Sequence, residues 1–182
     1  MNLFDTQPLI KPVPHVMPRG SSVVLLDEVI IDQVQDLLSR FDLQLQLVGE
    51  DQVIPGSYWG ESEAGLIGNN LYARLDTPLH SMLHEACHYI CMDDLRRAAL
   101  HRDAGGEVDE ENAVCYLQIV LADFVDGFDR IQMQDDMDTW GYTFRLGSAR
   151  AWFMREAEEA QGWLLDAGLI DKNDNPTWRI RR

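Results

Sequence analysis

The feature that most constrains the fold is a helical pattern that begins at Leu79 and continues without a helix breaker to about Leu100. It follows directly on Asp76-Thr77-Pro78, where a capping side chain precedes a proline suited to the first position of a helix. Inside the pattern lies the stretch LHEACHYI, which contains the spacing H-E-x-x-H. The sequence therefore predicts that this motif lies on a helix.

On a helix, residues four positions apart stand one above the other on the same face. His84 and His88 can thus present two imidazole nitrogens to one tetrahedral metal ion. Glu85 lies about 100° around the helix from His84, close to an open coordination position without being a ligand. When a water molecule binds to zinc, its pKa falls to roughly 7. A neighbouring carboxylate can then remove a proton from that water. The motif predicts one Zn²⁺ per chain, with Glu85 as the general base.

A zinc site of this kind needs a third protein ligand, and acidic residues cluster at the start of the next predicted helix. Glu110 shares a face with the apolar residues of that helix, so we expect its carboxylate to face the histidines. Glu111 is rotated towards Cys115 and Gln118, and Glu107 belongs to the preceding turn. We favour Glu110 as the third ligand, with Glu111 and then Glu107 as alternatives. Acidic residues in a first helical turn also stabilise the helix dipole without any ligand role.

The motif helix followed by a helix with a glutamate resembles the gluzincin arrangement of the zincin metallopeptidases. The resemblance covers roughly residues 58 to 125, including a strand from Gly65 to Arg74 and Glu110 in an E-x-x-A context. Size and element order are similar to those of small bacterial peptidases of the ImmA/IrrE group. The resemblance implies a zinc-dependent peptidase with an α+β, zincin-like fold. A small, mainly antiparallel sheet would pack against the active-site helix, and a peptide or protein substrate would pair with the Gly65–Arg74 strand.

A second interpretation stands beside this one. A zincin-like domain can also be a non-catalytic binding or regulatory module, with a structural metal or none. Glu85 favours hydrolysis, because a purely structural site does not require it. The residue that would stabilise a transition state stays open by residue type among Tyr72, His101, Tyr116 and Tyr142.

His80 extends the two motif histidines to a row with the spacing i, i+4, i+8. It is either a buried packing residue or a group that hydrogen-bonds behind the site or contacts substrate. Three cysteines, Cys87, Cys91 and Cys115, are interpreted as small core residues. Their odd number does not resemble a disulfide scaffold and favours a reducing compartment.

The charge balance excludes several classes of ligand. Asp and Glu outnumber Lys and Arg by 31 to 15, which gives a formal charge of −16. Such a chain repels phosphate backbones and anionic lipid surfaces, so we expect neither nucleic acid nor a membrane as a partner. A short basic segment, residues 178–182, runs against this trend and is expected to be a solvated tail.

The 182 residues are expected to form one domain, residues 21–182, preceded by an extended arm, residues 1–20, that holds four of the seven prolines. Those prolines interrupt the apolar segment that a signal peptide needs, which favours a cytoplasmic location. Further along, the pattern predicts a first helix capped by Ser21 or Ser22 and a strand over Leu43–Leu47. It also predicts a loose region over residues 126–141 and one long helix from Ser148 to Ala167.

Overall fold

The computed structural model describes residues 22–58, 60, 62–101 and 104–182. In this part of the chain, seven α-helices and three short strands form an α+β fold, which confirms the expected class. The arm expected over residues 1–20 lies outside the described residues. Among the described helices, none is both long and apolar enough to cross a bilayer.

The three strands form one mixed sheet in the order β1-β3-β2. Its members are β1 (Gln44–Leu47), β2 (Gly65–Ile67) and β3 (Asn70–Ala73). β1 runs parallel to β3 and β2 antiparallel to it, so the expectation of a mainly antiparallel sheet is corrected to a mixed one. The single strand expected from Gly65 to Arg74 is a hairpin. Gly68 turns the chain with a φ of 58°, a left-handed conformation that glycine adopts without steric penalty.

The helices follow one another with short connections. They are α1 (Ile31–Ser39), α2 (Leu79–Cys91), α3 (Asp94–Ala98), α4 (Val108–Ala122), α5 (Arg130–Trp140), α6 (Ala149–Arg155) and α7 (Glu158–Asp166). The motif helix α2 ends before Leu100, because Asp93 accepts a hydrogen bond from the backbone N of Arg96 at 2.9 Å and starts a new helix.

Other predicted boundaries also differ from the structure. The loose region predicted over residues 126–141 contains α5, which Asp129 caps by accepting from two backbone N–H groups. Its acidic sequence concealed the helix, although Met133 and Met137 are buried one turn apart. The long C-terminal helix is broken at Glu156, and α1 begins only at Ile31, after a 3-10 turn.

The two helices that carry the predicted site form the centre of the protein. Twelve of the 13 residues of α2 and 12 of the 15 residues of α4 are buried, so neither helix has a broad solvent face. Polar side chains between them are removed from water and need partners, since an unpaired buried polar group is costly.

Candidate metal centre

His84 and His88 meet a carboxylate between α2 and α4. Their Nε2 atoms lie 3.1 Å apart on successive turns of α2. Glu111, in the first turn of α4, places Oε1 3.2 Å from His84 Nε2 and Oε2 3.5 Å from His88 Nε2. Two ligand atoms about 2.1 Å from a tetrahedral zinc ion lie roughly 3.4 Å from one another. The three groups therefore have the mutual spacing of ligands around one ion.

The surroundings of these groups fit a cation. His84 and His88 are only 7% and 5% exposed, and the Glu111 side chain is 17% exposed. Glu111 Oε1 is buried, and apart from His84 Nε2 at 3.2 Å it has no polar partner within the described chain. A bound cation would compensate that oxygen and use the lone pairs of the imidazoles. The donor set of two imidazoles and one carboxylate is one that zinc accepts.

The short distances between Glu111 and the two histidines shift the pKa values of Glu111 and His84. Burial by itself raises the pKa of Glu111, but His84 and His88 outweigh burial and lower this pKa to about 2. Burial disfavours protonated His84, yet hydrogen bonds with Cys115 and Glu111 and the negative charge of Glu111 hold its pKa well above its usual range. Without metal, the raised pKa of His84 and the lowered pKa of Glu111 favour an ion pair between a protonated imidazole and a carboxylate, whose proton competes with a cation.

Gln118 fixes the ring of His84 from behind. Its Oε1 lies 2.6 Å from His84 Nδ1, and Gln118 is completely buried on α4. An amide oxygen can only accept, so Nδ1 carries the proton and Nε2 of a neutral ring is left as the ligand atom. Gln118 was not among the predicted site residues, although it lies seven residues after Glu111 and hence on the same helix face.

Glu110, the favoured third ligand, does not lie with the histidines. Its carboxylate accepts hydrogen bonds from Arg96 Nη1 at 2.6 and 2.8 Å and from Arg181 Nη1 at 3.1 Å. The apolar stripe used to orient Glu110 does not discriminate between faces, because α4 is buried on nearly all sides. Glu107 is the exposed N-cap residue of α4. Of the three glutamates considered, the structure brings Glu111 to His84 and His88.

Glu85 occupies the side of α2 nearest to solvent. It is half-buried and is the one residue of α2, all of which is described, that is not buried. Its position one residue after His84 places it about 100° around the helix from that ligand. The predicted base is thus the group on this helix that water can reach.

Tyr142 forms a wall of the site. Its ring lies 5.7 Å from the His84 ring at an angle of 81°. Burial raises the pKa of the Tyr142 phenol, so the hydroxyl stays protonated. Of the other three candidates for a stabilising group, the Tyr116 hydroxyl donates to Asp174 at 3.0 Å, His101 is exposed and Tyr72 lies on β3. Among the four, Tyr142 is the residue that the structure places against a motif histidine.

Glu63, two residues before β2, supplies a second carboxyl group that interacts electrostatically with His84. Glu63 Oε1 accepts a hydrogen bond from Trp140 Nε1 at 3.0 Å. Burial raises the pKa of Glu63, while Trp140 and His84 oppose this effect. No sequence pattern pointed to Glu63, because its neighbour Trp140 lies on α5, a helix that was not predicted.

His80 packs beside the site without hydrogen-bonding to it. Both ring nitrogens are buried and have no hydrogen-bond partner within the described chain. The ring lies 5.0 Å from that of Trp140 and 5.8 Å from that of Tyr142. Burial, reinforced by His84, lowers the pKa of His80 to about 3, so it is neutral. Of its two interpretations, the geometry favours packing.

Cys115 is more than a core residue. All three cysteines are buried and free, but Cys115 also lies beside the site. One ligand atom each from His84, Glu111 and Cys115 lie within 4.8 Å of one another, close enough to hold a metal ion. Burial raises the pKa of the Cys115 thiol, which favours its protonated form.

The strand expected to receive a peptide is partly covered. β3 lies inside the sheet, so β2 would have to offer the free edge. Gly56 packs so closely on β2 that an added Cβ would come within 2.9 Å of the backbone N and O of Leu66. A peptide can pair with Leu66 only if this turn moves.

Comparison of the chain with protein-family models, with curated proteins and with solved structures gives no match. The candidate centre therefore rests on the arrangement of His84, His88, Glu111 and Cys115 between α2 and α4.

Proposed function

We propose that this chain is a zinc-dependent metallopeptidase with a zincin-like fold, in which His84, His88 and Glu111 are the metal ligands and Glu85 is the general base. The observation that carries the proposal is the convergence of the two Nε2 atoms and the Glu111 carboxylate, at 3.1 to 3.5 Å. The H-E-x-x-H spacing supplies the additional carboxylate that hydrolysis requires.

In this proposal His84, His88 and Glu111 hold the ion, and Glu85 transfers protons. Zinc bound by these ligands would supply Lewis acidity towards a peptide carbonyl and a water molecule. The Glu85 carboxylate accepts a proton as the water oxygen bonds to the carbonyl carbon. It then donates that proton to the amide nitrogen as the C–N bond breaks, which leaves a carboxylic acid and an amine. Its half-buried position allows both water and substrate to reach it.

Tyr142 is proposed to stabilise the charge that develops on the carbonyl oxygen. Its hydroxyl is kept protonated by burial, and its ring is packed against His84 and His80. A pre-oriented donor in a site with little water stabilises a developing oxyanion more than water does. We therefore expect Tyr142→Phe to lower kcat by about 10²-fold with KM little changed.

A metal-binding domain without catalysis is the second candidate, and Cys115 favours it. If the Cys115 thiolate joined the two imidazoles and Glu111, four protein ligands would close the site. A closed tetrahedral site leaves no position for water and tends to be structural. The ion would then tie α2 to α4 without hydrolysing a bond.

Hydrolysis by a Glu85→Gln variant separates these two functions. Zinc-loaded wild-type protein, Glu85→Gln and the control Glu107→Gln are incubated with a mixed peptide library, and new amino termini are identified by mass spectrometry. The peptidase proposal expects cleavage by the wild type and by Glu107→Gln, and none by Glu85→Gln with its zinc retained. Absence of cleavage by all three, each with bound zinc, would favour the structural centre.

A further inference from the structure

A groove of about 1000 Å³ lies where the end of α1, the end of α7 and residues 178–182 meet. It shares no lining residue with the metal centre. Its lining includes four arginines, Arg40, Arg179, Arg181 and Arg182, but only two acidic side chains, those of Asp42 and Asp166. The whole chain has about twice as many acidic as basic residues, 31 to 15. The groove therefore reverses the sign of charge that characterises the protein.

Three of these arginines are not neutralised by the chain. Within the described residues, the guanidinium groups of Arg40, Arg179 and Arg182 form no ion pair with a carboxylate, and all three residues are exposed. Arg181 differs, because its guanidinium binds Glu110 and forms the back of the groove. Unpaired cations around a concave surface raise the local concentration of anions.

The segment that supplies the arginines is held in place and is not the solvated tail expected from the sequence. Arg181 N donates to Ile90 O at 2.9 Å, and Arg181 O accepts from both terminal nitrogens of Arg97 at 3.1 and 2.8 Å. Because these bonds anchor the segment to the end of α2, little backbone conformational entropy is lost when the arginines bind a ligand.

Trp178 is a second residue that holds residues 178–182 in place, and its backbone conformation is strained. It has a φ of 59°, a left-handed conformation that is unfavourable for a bulky residue. Its ring packs on Phe41 and Phe124 at 5.6 and 4.9 Å, and the Arg40 guanidinium lies 4.3 Å above it. Strain of this kind persists where the surroundings over-determine it and clusters at ligand sites. Trp178 thereby fixes Arg40 at one wall of the groove.

We propose that this groove binds a small oligoanion that carries two or more phosphate groups. The planar guanidinium matches the oxygen geometry of phosphate, and one phosphate can contact more than one arginine. Three unpaired guanidinium groups complement several negative charges, and the groove is much larger than one phosphate needs. The proposal does not depend on the peptidase function.

Isothermal titration calorimetry with tripolyphosphate as the probe tests the site. Wild-type protein is compared with Arg40→Ala, Arg179→Ala and the control Arg150→Ala, which removes an exposed arginine outside the groove. We expect saturable one-to-one binding that Arg40→Ala and Arg179→Ala each weaken by about fivefold or more. Arg150→Ala should leave it unchanged, and circular dichroism should show all four proteins folded.

Three results would overturn the proposal. These are no saturable heat with wild-type protein, an equal effect of all three substitutions, or tighter binding of a carboxylate oligoanion such as a tri-glutamate peptide. The second would indicate attraction by net charge alone, and the third would assign the groove to carboxylates rather than phosphates. Because tripolyphosphate itself chelates zinc, the titration uses metal-free protein and no peptide, so failure of this proposal is independent of failure at the metal centre.

Discussion

Gln118 holds His84 by a buried 2.6 Å hydrogen bond between Oε1 and Nδ1, on the side of the ring opposite to Glu111. Loss of this bond would free the imidazole to rotate and would remove the preference for a proton on Nδ1. We expect Gln118→Leu to weaken zinc binding by about 10- to 100-fold, measured by competition with a chromogenic chelator. Gln118→Glu keeps an acceptor and should bind zinc at least as tightly as the wild type. Equal affinity of Gln118→Leu and wild type would show that the bond does not orient the ligand.

Glu110 is predicted to stabilise the fold rather than bind metal. It is 8% exposed and joins two arginines that are about one-third exposed, Arg96 and Arg181. Glu110→Gln should lower the free energy of unfolding by about 1–2 kcal/mol, because two guanidinium groups lose their charged partner. Urea unfolding of metal-free protein measures this. Asp94→Asn removes an exposed carboxylate from Arg97, which keeps its backbone acceptors, and serves as the control, with an expected change below about 0.5 kcal/mol. A larger loss in the control than in Glu110→Gln would contradict this role.

The stability of the metal-free protein should depend on pH through the His84–Glu111 pair. The pKa of Glu111 is lowered from 4.5 to about 2, so its contribution is present above about pH 4.5 and is lost as pH falls towards 2. The pKa of His84 is raised well above 6.5, so its contribution is full below about pH 6.5 and is lost as pH rises through the higher folded value.

We therefore expect this contribution to be greatest between about pH 4.5 and 6.5. Urea unfolding of chelator-treated protein across the pH range measures it, as the difference between wild type and Glu111→Gln at each pH. A difference that grows steadily from pH 6 to pH 9 would have the opposite sign and would refute the ion pair.

The absorption spectrum of the cobalt-substituted protein can show whether the Cys115 thiolate binds the metal. Binding would close the site, and its absence would leave a position for water. Thiolate ligands give cobalt(II) strong charge-transfer absorption in the near ultraviolet, and imidazole and carboxylate ligands do not. The proposed peptidase site predicts that the cobalt-substituted protein lacks this band and that Cys115→Ser keeps one metal ion per chain. A strong band that disappears in Cys115→Ser but persists in the control Cys91→Ser would mean that the thiolate is a ligand and the site is closed.

Local sequence signals predicted the elements of the site better than its details. The spacing of His84 and His88 fixes two side chains on one face because four residues make about one helical turn, and the structure has them there. The helix α4 was likewise predicted from periodicity, and the α+β class was expected from the family resemblance. The hairpin at Gly68 and the break at Glu156 were not, because a single residue's backbone conformation decides each of them.

The choice between Glu110 and Glu111 depended on tertiary contacts that the sequence does not display. Periodicity orients a residue only on a helix with one apolar face, whereas α4 is buried on nearly every side. What holds Glu110 is Arg96 from α3 and Arg181 from the far end of the chain, 71 residues away. Gln118 and Glu63 were missed for the same reason, because their roles arise from neighbours on other elements.

The zinc content of matched glutamate variants tests whether His84, His88 and Glu111 form a zinc site. Wild-type protein, Glu111→Gln and Glu110→Gln are loaded with zinc, freed of loosely bound metal and measured by elemental analysis, with circular dichroism as a check of folding. With Glu111 as the third ligand, we expect about one zinc ion per chain in the wild type and in Glu110→Gln, and a loss of most of the zinc in Glu111→Gln. Full zinc in Glu111→Gln with loss in Glu110→Gln, or no zinc in the wild type, would contradict it.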